Sequence, residues 1–226
     1  MKRISAIIAS LLLGSLCASA QMSVCAGWQK SQLISTSVAS DGYRNYRYAW
    51  ADGLYAGVTS SYLLPIVGLS ADWSILYSYA TGTESDMLSI FGDPHYSVAS
   101  TGNVVSDEHY ISVPARMRYK VALAPWLGAY ACAGAEVMYC LSSKTYSSWP
   151  GIDGTHHWNV DHFGGDTNYN GYRRFDIGVL GGIGFEFMNL LRLEFTIDYG
   201  LLDRSGSEQD ILHRFTLGAG IALLFR

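Results

Sequence analysis

The chain is 226 residues long, 49% hydrophobic, 13% aromatic and only 15% charged, with a formal net charge of −4. That length suits one domain with a sizeable core, and so apolar a composition excludes a disordered chain. An acidic chain without a basic stripe lacks the footprint of a nucleic-acid binder, and beyond residue 20 no apolar run reaches the roughly 20 residues of a membrane-spanning helix.

At the amino terminus, Lys2 and Arg3 precede an apolar run over residues 4–16, and Ala18-Ser19-Ala20 follow before Gln21. A positive start, a short apolar stretch and an A-x-A end make residues 1–20 a secretory signal peptide. Lipoprotein processing at Cys17 fits less well, because Leu16 stands where a small residue is needed. Export is therefore expected, with residues 21–31 as an N-terminal periplasmic segment and 32–226 as the folded domain. Cys25, Cys132 and Cys140 survive the cut. Cys132 and Cys140 share one strand pattern eight positions apart, about 26 Å at ~3.3 Å per residue, which is beyond disulfide reach. The cysteines read as small space-filling residues.

Period-two alternation then recurs along the chain. The first strand falls between Gln32 and Ala39, and weaker patterns cover residues 54–64, 67–79 and 126–141. Over residues 111–121, Ile111, Val113, Ala115, Met117, Tyr119 and Val121 alternate with Ser112, Pro114, Arg116, Arg118 and Lys120. Residues 175–187 set Phe175, Ile177, Val179, Ile183, Phe185 and Phe187 against Asp176, Gly178, Gly182, Gly184 and Glu186. Residues 191–199 oppose Leu191, Leu193, Phe195, Ile197 and Tyr199 to Arg192, Glu194, Thr196 and Asp198. In the last strand Phe215, Leu217, Ala219, Ile221, Leu223 and Phe225 oppose Arg214, Thr216, Gly218 and Gly220. The total is about eight strands.

Alternation does not say which face meets water, since a soluble lipocalin-like barrel has the same period with its apolar set inside. Three features turn the apolar set outward. Glycines and charges share the polar face, as a narrow interior requires. Most strands run nine or more residues, the length of a tilted membrane strand. Connections alternate between tight links at residues 64–66, 124–125 and 188–190 and long ones at 39–52, 81–107, 142–171 and 203–210. From a periplasmic amino terminus, every long connection lands outside the cell, the asymmetry of outer-membrane barrels. Aromatics of apolar parity, including Tyr62, Trp73, Tyr77, Tyr79, Tyr119, Tyr139, Tyr199 and Phe225, suit interfacial girdles. The expected fold is all-β: a closed antiparallel up-and-down transmembrane β-barrel, because an open sheet edge in hydrocarbon leaves backbone groups unpaired.

The stretch His109-Tyr110-Ile111-Ser112-Val113-Pro114-Ala115-Arg116-Met117-Arg118-Tyr119-Lys120 resembles the proline-containing strand of the PorT-like group of outer-membrane β-barrel proteins. Pro125-Trp126-Leu127-Gly128-Ala129-Tyr130 and Tyr139-Cys140-Leu141-Ser142-Ser143-Lys144 are similar to its following segments. Residues 176–186 and 198–203 resemble its penultimate strand pair, so the likeness covers roughly residues 54–225. Tyr130 departs from the group's usual Gly, and the segments around Pro94 and Trp158 are private to this chain. The resemblance implies a fold and an outer-membrane location, and little about activity.

By parity the lumen holds Asp72, Glu136, Asp176, Glu186, Glu194 and Asp198 against Arg116, Arg118, Lys120, Arg192 and Arg214. Eight strands enclose a bore that side chains can fill, so these charges are expected to pair across it and plug it. A channel needs one sign of charge around a water-filled bore, which makes a narrow porin the rival reading. His156 and His162 beside Asp161 form a weak metal candidate, and Asp166, Asn168 and Asn170 match the first half of a calcium loop. The twelfth position of that loop is Ile177 where a Glu is required, so a turn is expected, with no metal and no cofactor. His109 and His213 stand at outward strand ends, where a lipid-modifying enzyme would place a His beside a Ser; no Ser of matching parity is evident. The expected partners are outer-membrane lipids and an extracellular ligand or protein reached through the loops, whose aromatics include Tyr146, Trp149, Trp158, Tyr169 and Tyr172.

Overall fold

The computed structural model describes residues 20–39, 42–47, 50–84, 103–151, 154–164, 172–205 and 210–225. Among the described residues ten strands follow in order: β1 (Ala20–Ala39), β2 (Gly42–Arg47), β3 (Ala51–Leu63), β4 (Leu69–Glu84), β5 (Asn103–Ala124), β6 (Leu127–Gly151), β7 (Gly154–Asp161), β8 (Phe175–Phe187), β9 (Leu191–Gly200) and β10 (Asp210–Phe225). Hydrogen bonding runs β10-β9-β8-β6-β5-β4-β3-β1, and β1 returns to β10 over Met22↔Phe225 to Ser37↔Asp210, which closes the ring. Eight strands form the wall. β2 and β7 pair with the upper parts of β1 and β6 as ribbons above it.

Three sequence expectations change. Residues 21–31 are not a periplasmic segment: β1 starts at Ala20, and Met22, Val24 and Trp28 face outward while Ser23, Gln29 and Ser31 are buried inside. The connection expected over 142–171 is largely strand, because β6 continues to Gly151 and folds back as β7. Similarly, β2 occupies part of the 39–52 connection. The leader residues 1–19 lie outside the described residues.

Outward-facing side chains along the wall are apolar and exposed, among them Val58, Ile75, Ile111, Val137, Val179, Phe195 and Ile221. Tyr119, Trp126 and Phe225 ring this belt near the short turns, and Trp28, Tyr77, Tyr139 and Tyr199 ring it near the other end. Above the belt on the outer face, Lys30 pairs with Asp52 at 3.7 Å, a charge pair that belongs in water. β9 has 10 residues, about what a tilted strand needs to cross the hydrocarbon, whereas β5 has 22 and β6 has 25. These two overshoot the membrane by a large margin.

Local chemistry explains the irregularities. Pro114 has no amide hydrogen, and the β4–β5 ladder skips from Trp73↔Ala115 to Leu76↔Ser112 beside it. The β8–β9 turn places Met188 and Asn189 at φ 52°, as a tight hairpin turn requires, and Leu190 donates to the Phe187 carbonyl at 2.9 Å. A register shift between His109 and Tyr110 makes Leu141 the extra residue of β6. Past that bulge Ser143 and Thr145 turn inward.

Candidate functional site

The lumen is the site the sequence points to, and the eleven charged residues expected there all stand on the inward face. They stack in tiers. The lowest tier, nearest the short turns, joins β4, β5, β8 and β9. Arg118 reaches Asp72 at 3.4 Å and Glu186 at 3.8 Å, and Arg192 reaches Glu186 at 3.4 Å and Asp72 at 4.0 Å. Lys120 pairs with Glu186 at 2.8 Å, and Arg118 donates to the Ser70 hydroxyl at 3.1 Å. Two carboxylates are thus bridged by three cations from two other strands.

The middle tier is Arg116 paired with Glu194 at 2.5 Å, with the Tyr130 hydroxyl donating to the same carboxylate at 2.9 Å. In the next tier one Arg214 nitrogen serves two acids, Glu136 at 2.7 Å and Asp198 at 2.9 Å. Buried ions so arranged offset each other's desolvation, which would otherwise amount to several kcal/mol per charge. Asp176 joins none of these pairs. It sits at the upper rim, 1% exposed, and accepts the Leu202 amide at 3.2 Å.

Interior glycines make room for aromatics. A Cβ at Gly27 would lie 2.5 Å from Tyr55, and one at Gly220 would lie 2.0 Å from its hydroxyl. Tyr130 covers Gly184 in the same way, at 2.4 Å. Filling is nonetheless incomplete. A cavity of about 80 Å³, roomy enough for several water molecules, remains at mid-height. Hydroxyls of Tyr55, Thr59, Ser74, Ser78 and Ser112 line one side of it, and Arg116, Arg192, Glu194, Asp198 and Arg214 the other. Cys25 also borders the cavity, and Cys25, Cys132 and Cys140 are all free thiols.

A top tier was not legible in the sequence. Arg204, in the segment after β9, is 0% exposed. It lies 3.7 Å from Glu108, donates to the Tyr110 hydroxyl at 3.3 Å, and stands over the Tyr110 and Tyr172 rings at 5.4 and 6.0 Å. Tyr110 and Ser143 both donate to Glu108. Arg214 lies over the same Tyr110 ring at 5.6 Å, so this ring links the top tier to the one below.

The metal candidates fare differently. Asp166, Asn168 and Asn170 lie outside the described residues. His156 belongs to β7, and His162 lies just beyond its end. His162 is bonded to the Thr145 hydroxyl at 2.8 Å and stacked on Tyr172 at 4.2 Å. Burial pushes its pKa below the usual 6.5, against the pull of Glu108 and Asp161 and with the help of Arg204. Among the described residues no group of three His, Cys, Asp or Glu converges as metal ligands would.

On the outer rim, His109 meets the Tyr77 hydroxyl at 2.6 Å, and His213 stacks on Tyr199 at 5.6 Å. The sequence shows no Ser of matching parity beside His109, yet the β6 bulge brings Ser142 opposite it in register. His213 faces Ile34 of β1 in register, and among the described residues no Ser stands opposite it.

Three comparisons bear on this geometry. A family model described as outer membrane protein beta-barrel domain matches residues 20–205. No curated protein matches the chain by sequence. Among solved structures, Ail of Yersinia pestis, in complex with the heparin analogue sucrose octasulfate, is 14% identical, covering 91% of this chain and 99% of its own, with a TM-score of 0.39. Neisserial surface protein A is 14% identical, covering 90% and 97%, with a TM-score of 0.41. OprG of Pseudomonas aeruginosa is 11% identical, covering 92% and 97%, with a TM-score of 0.40.

Proposed function

The chain belongs to the outer membrane protein β-barrel domain family, and from that premise we propose a non-conducting barrel that holds a β-ribbon above the cell surface. The protein is an integral outer-membrane protein. The tiered ion pairs carry the closed-bore reading: cations and anions meet across the lumen in every tier, whereas a selective pore needs one sign along an open path. The ribbon carries the surface role. β6 and β7 pair from Lys144↔Asp161 to Gly151↔Gly154, beyond the apolar belt, and among the described residues β7 pairs with β6 alone. Outer-membrane lipids contact the belt, and an extracellular ligand or protein docks on the ribbon. Within the family, the Pro114 strand and the segments after it favour the PorT-like group. A leader cut after Ala20 leaves β1 intact from Gln21, which amino-terminal sequencing of the mature protein checks.

Refolded protein in a planar bilayer tests the bore. The expected record shows no steady unitary conductance. Steady conductance that vanishes when Arg116 or Arg192 is neutralised would establish the narrow porin instead. A lipid-modifying enzyme is the second reading, favoured only by the His109–Ser142 register and the Tyr77 contact. No lipid turnover is expected; turnover lost in His109→Ala and kept in His213→Ala would establish the enzyme.

A further inference from the structure

Arg204, in the segment that follows β9, is fully enclosed. Residues 201–205 are pinned at several points. Asp203 accepts the amides of Ser205 at 2.8 Å and Leu212 at 2.9 Å, the Arg204 amide bonds the Leu212 carbonyl at 2.9 Å, and Arg173 donates to the Arg204 carbonyl at 2.8 Å. Leu202 is tied to Asp176 on the rim of β8. The segment thereby continues β9 between the β8 side and β10, and its one guanidinium enters between the Tyr110 and Tyr172 rings. Directly beneath lie Tyr110, Met138 and Cys140, a buried apolar cluster against which Phe163 packs. Tyr110 and Met138 are also part of the lining of the mid-height cavity.

We propose that the Arg204 side chain is a stopper, latched on Glu108, Tyr110 and Tyr172, that closes the extracellular end of the lumen and releases when His162 takes up a proton. His162 touches the latch through Tyr172, the ring it stacks on and over which Arg204 lies. The charged and titratable groups that face it are Glu108 from β5, Asp161 from β7, Tyr172, and Arg204 itself. On β6 its partner is the neutral Thr145, with Lys144 the next residue on the exposed face. A neutral imidazole fits this nest. An imidazolium there is desolvated, is repelled by Arg204 and competes with Arg204 for Glu108, so the stack and the ion pair weaken together. The ordinary His value of 6.5 lies above the folded one, so release proceeds as the pH falls below that value.

Cys140, 0% exposed beneath the stopper, is a native reporter. The experiment replaces the other cysteines by alanine and follows labelling of Cys140 by a charged methanethiosulfonate in detergent micelles. Each rate is divided by that of the urea-unfolded chain at the same pH, which removes the pH dependence of the thiol itself. At pH 7.5, Arg204→Ala should label about 10-fold faster or more than the parent, as loss of a charge-assisted latch implies, and Arg204→Lys should fall between. Between pH 7.5 and 5 the parent should rise toward the Arg204→Ala rate, and His162→Gln should abolish that rise. Heat-dependent gel migration confirms that each variant is folded. Unchanged protection in folded Arg204→Ala or Arg204→Lys overturns the latch. A flat parent profile, or an acid rise that persists in His162→Gln, overturns the proton trigger. Because conductance reads the bore and labelling reads its mouth, failure of either leaves the other standing.

Discussion

Replacing Arg214 by methionine removes one cation from between two acids while keeping most of the side-chain volume. One nitrogen of Arg214 sits 2.7 Å from Glu136 and 2.9 Å from Asp198, and all three residues are buried. Charge-assisted bonds of this kind each contribute about 1.5–3 kcal/mol. Breaking a buried pair and stranding the partner costs about 3–5 kcal/mol, and here two carboxylates are stranded side by side. Arg214→Met should therefore destabilise the barrel by about 3–5 kcal/mol. The same change with Glu136→Gln and Asp198→Asn should recover to within about 1–2 kcal/mol of the parent, since no uncompensated charge is left behind. Reversible urea titration of the protein in phospholipid vesicles, followed by tryptophan fluorescence, measures both. A single variant within about 1 kcal/mol of the parent, or a triple variant no better than the single one, would refute the charge-compensation argument.

Three more outcomes are expected. Gly220→Ala should cost about 1–3 kcal/mol by overpacking against Tyr55, and much less in a Tyr55→Leu background, read by the same titration as a double-mutant cycle. Phe195, 55% exposed at the middle of β9, faces the centre of the belt, so Phe195→Arg should lower folding stability in vesicles by about 2–4 kcal/mol, against about 0–1 for Val121→Arg near the turns. Because the folded pKa of His162 lies below the unfolded 6.5, the unfolded chain binds more protons between the two values. The contribution of neutral His162 is complete above 6.5 and is lost as the pH falls through the folded value, so hydrogen exchange at the Tyr172 amide, bonded to the His162 carbonyl at 3.3 Å, should accelerate in acid once the intrinsic pH effect is divided out.

The wall was legible because its code is binary and local. A period of two assigns each residue to lipid or lumen without knowledge of the partner strand, which is why Asp72, Arg116 and Glu194 could be placed by parity alone. What the code does not hold is height and partner. Asp176 has the right parity, yet it stands at the rim, where a backbone amide of the next segment reaches it before any cation does. The start of β1 was hidden although Met22, Val24 and Trp28 alternate with Ser23, Cys25 and Gln29. Small and polar inward residues make that alternation resemble a linker. The bulge at His109 and Tyr110 inverts parity beyond it, so Ser142 and Ser143 could not be assigned in advance. Arg204 meets Tyr110 from 94 positions away in a segment with no periodicity, and only the folded chain brings them together.

The seam between the first and last strands has a consequence for biogenesis. Along one edge of β1, residues 22–37 pair with residues 210–225, so nearly the whole polypeptide must be made before the ring can shut. Until then both margins present long rows of unsatisfied amides and carbonyls, a template for promiscuous pairing. A carboxy-terminal truncation by a single strand should turn the chain from a membrane resident into an aggregate.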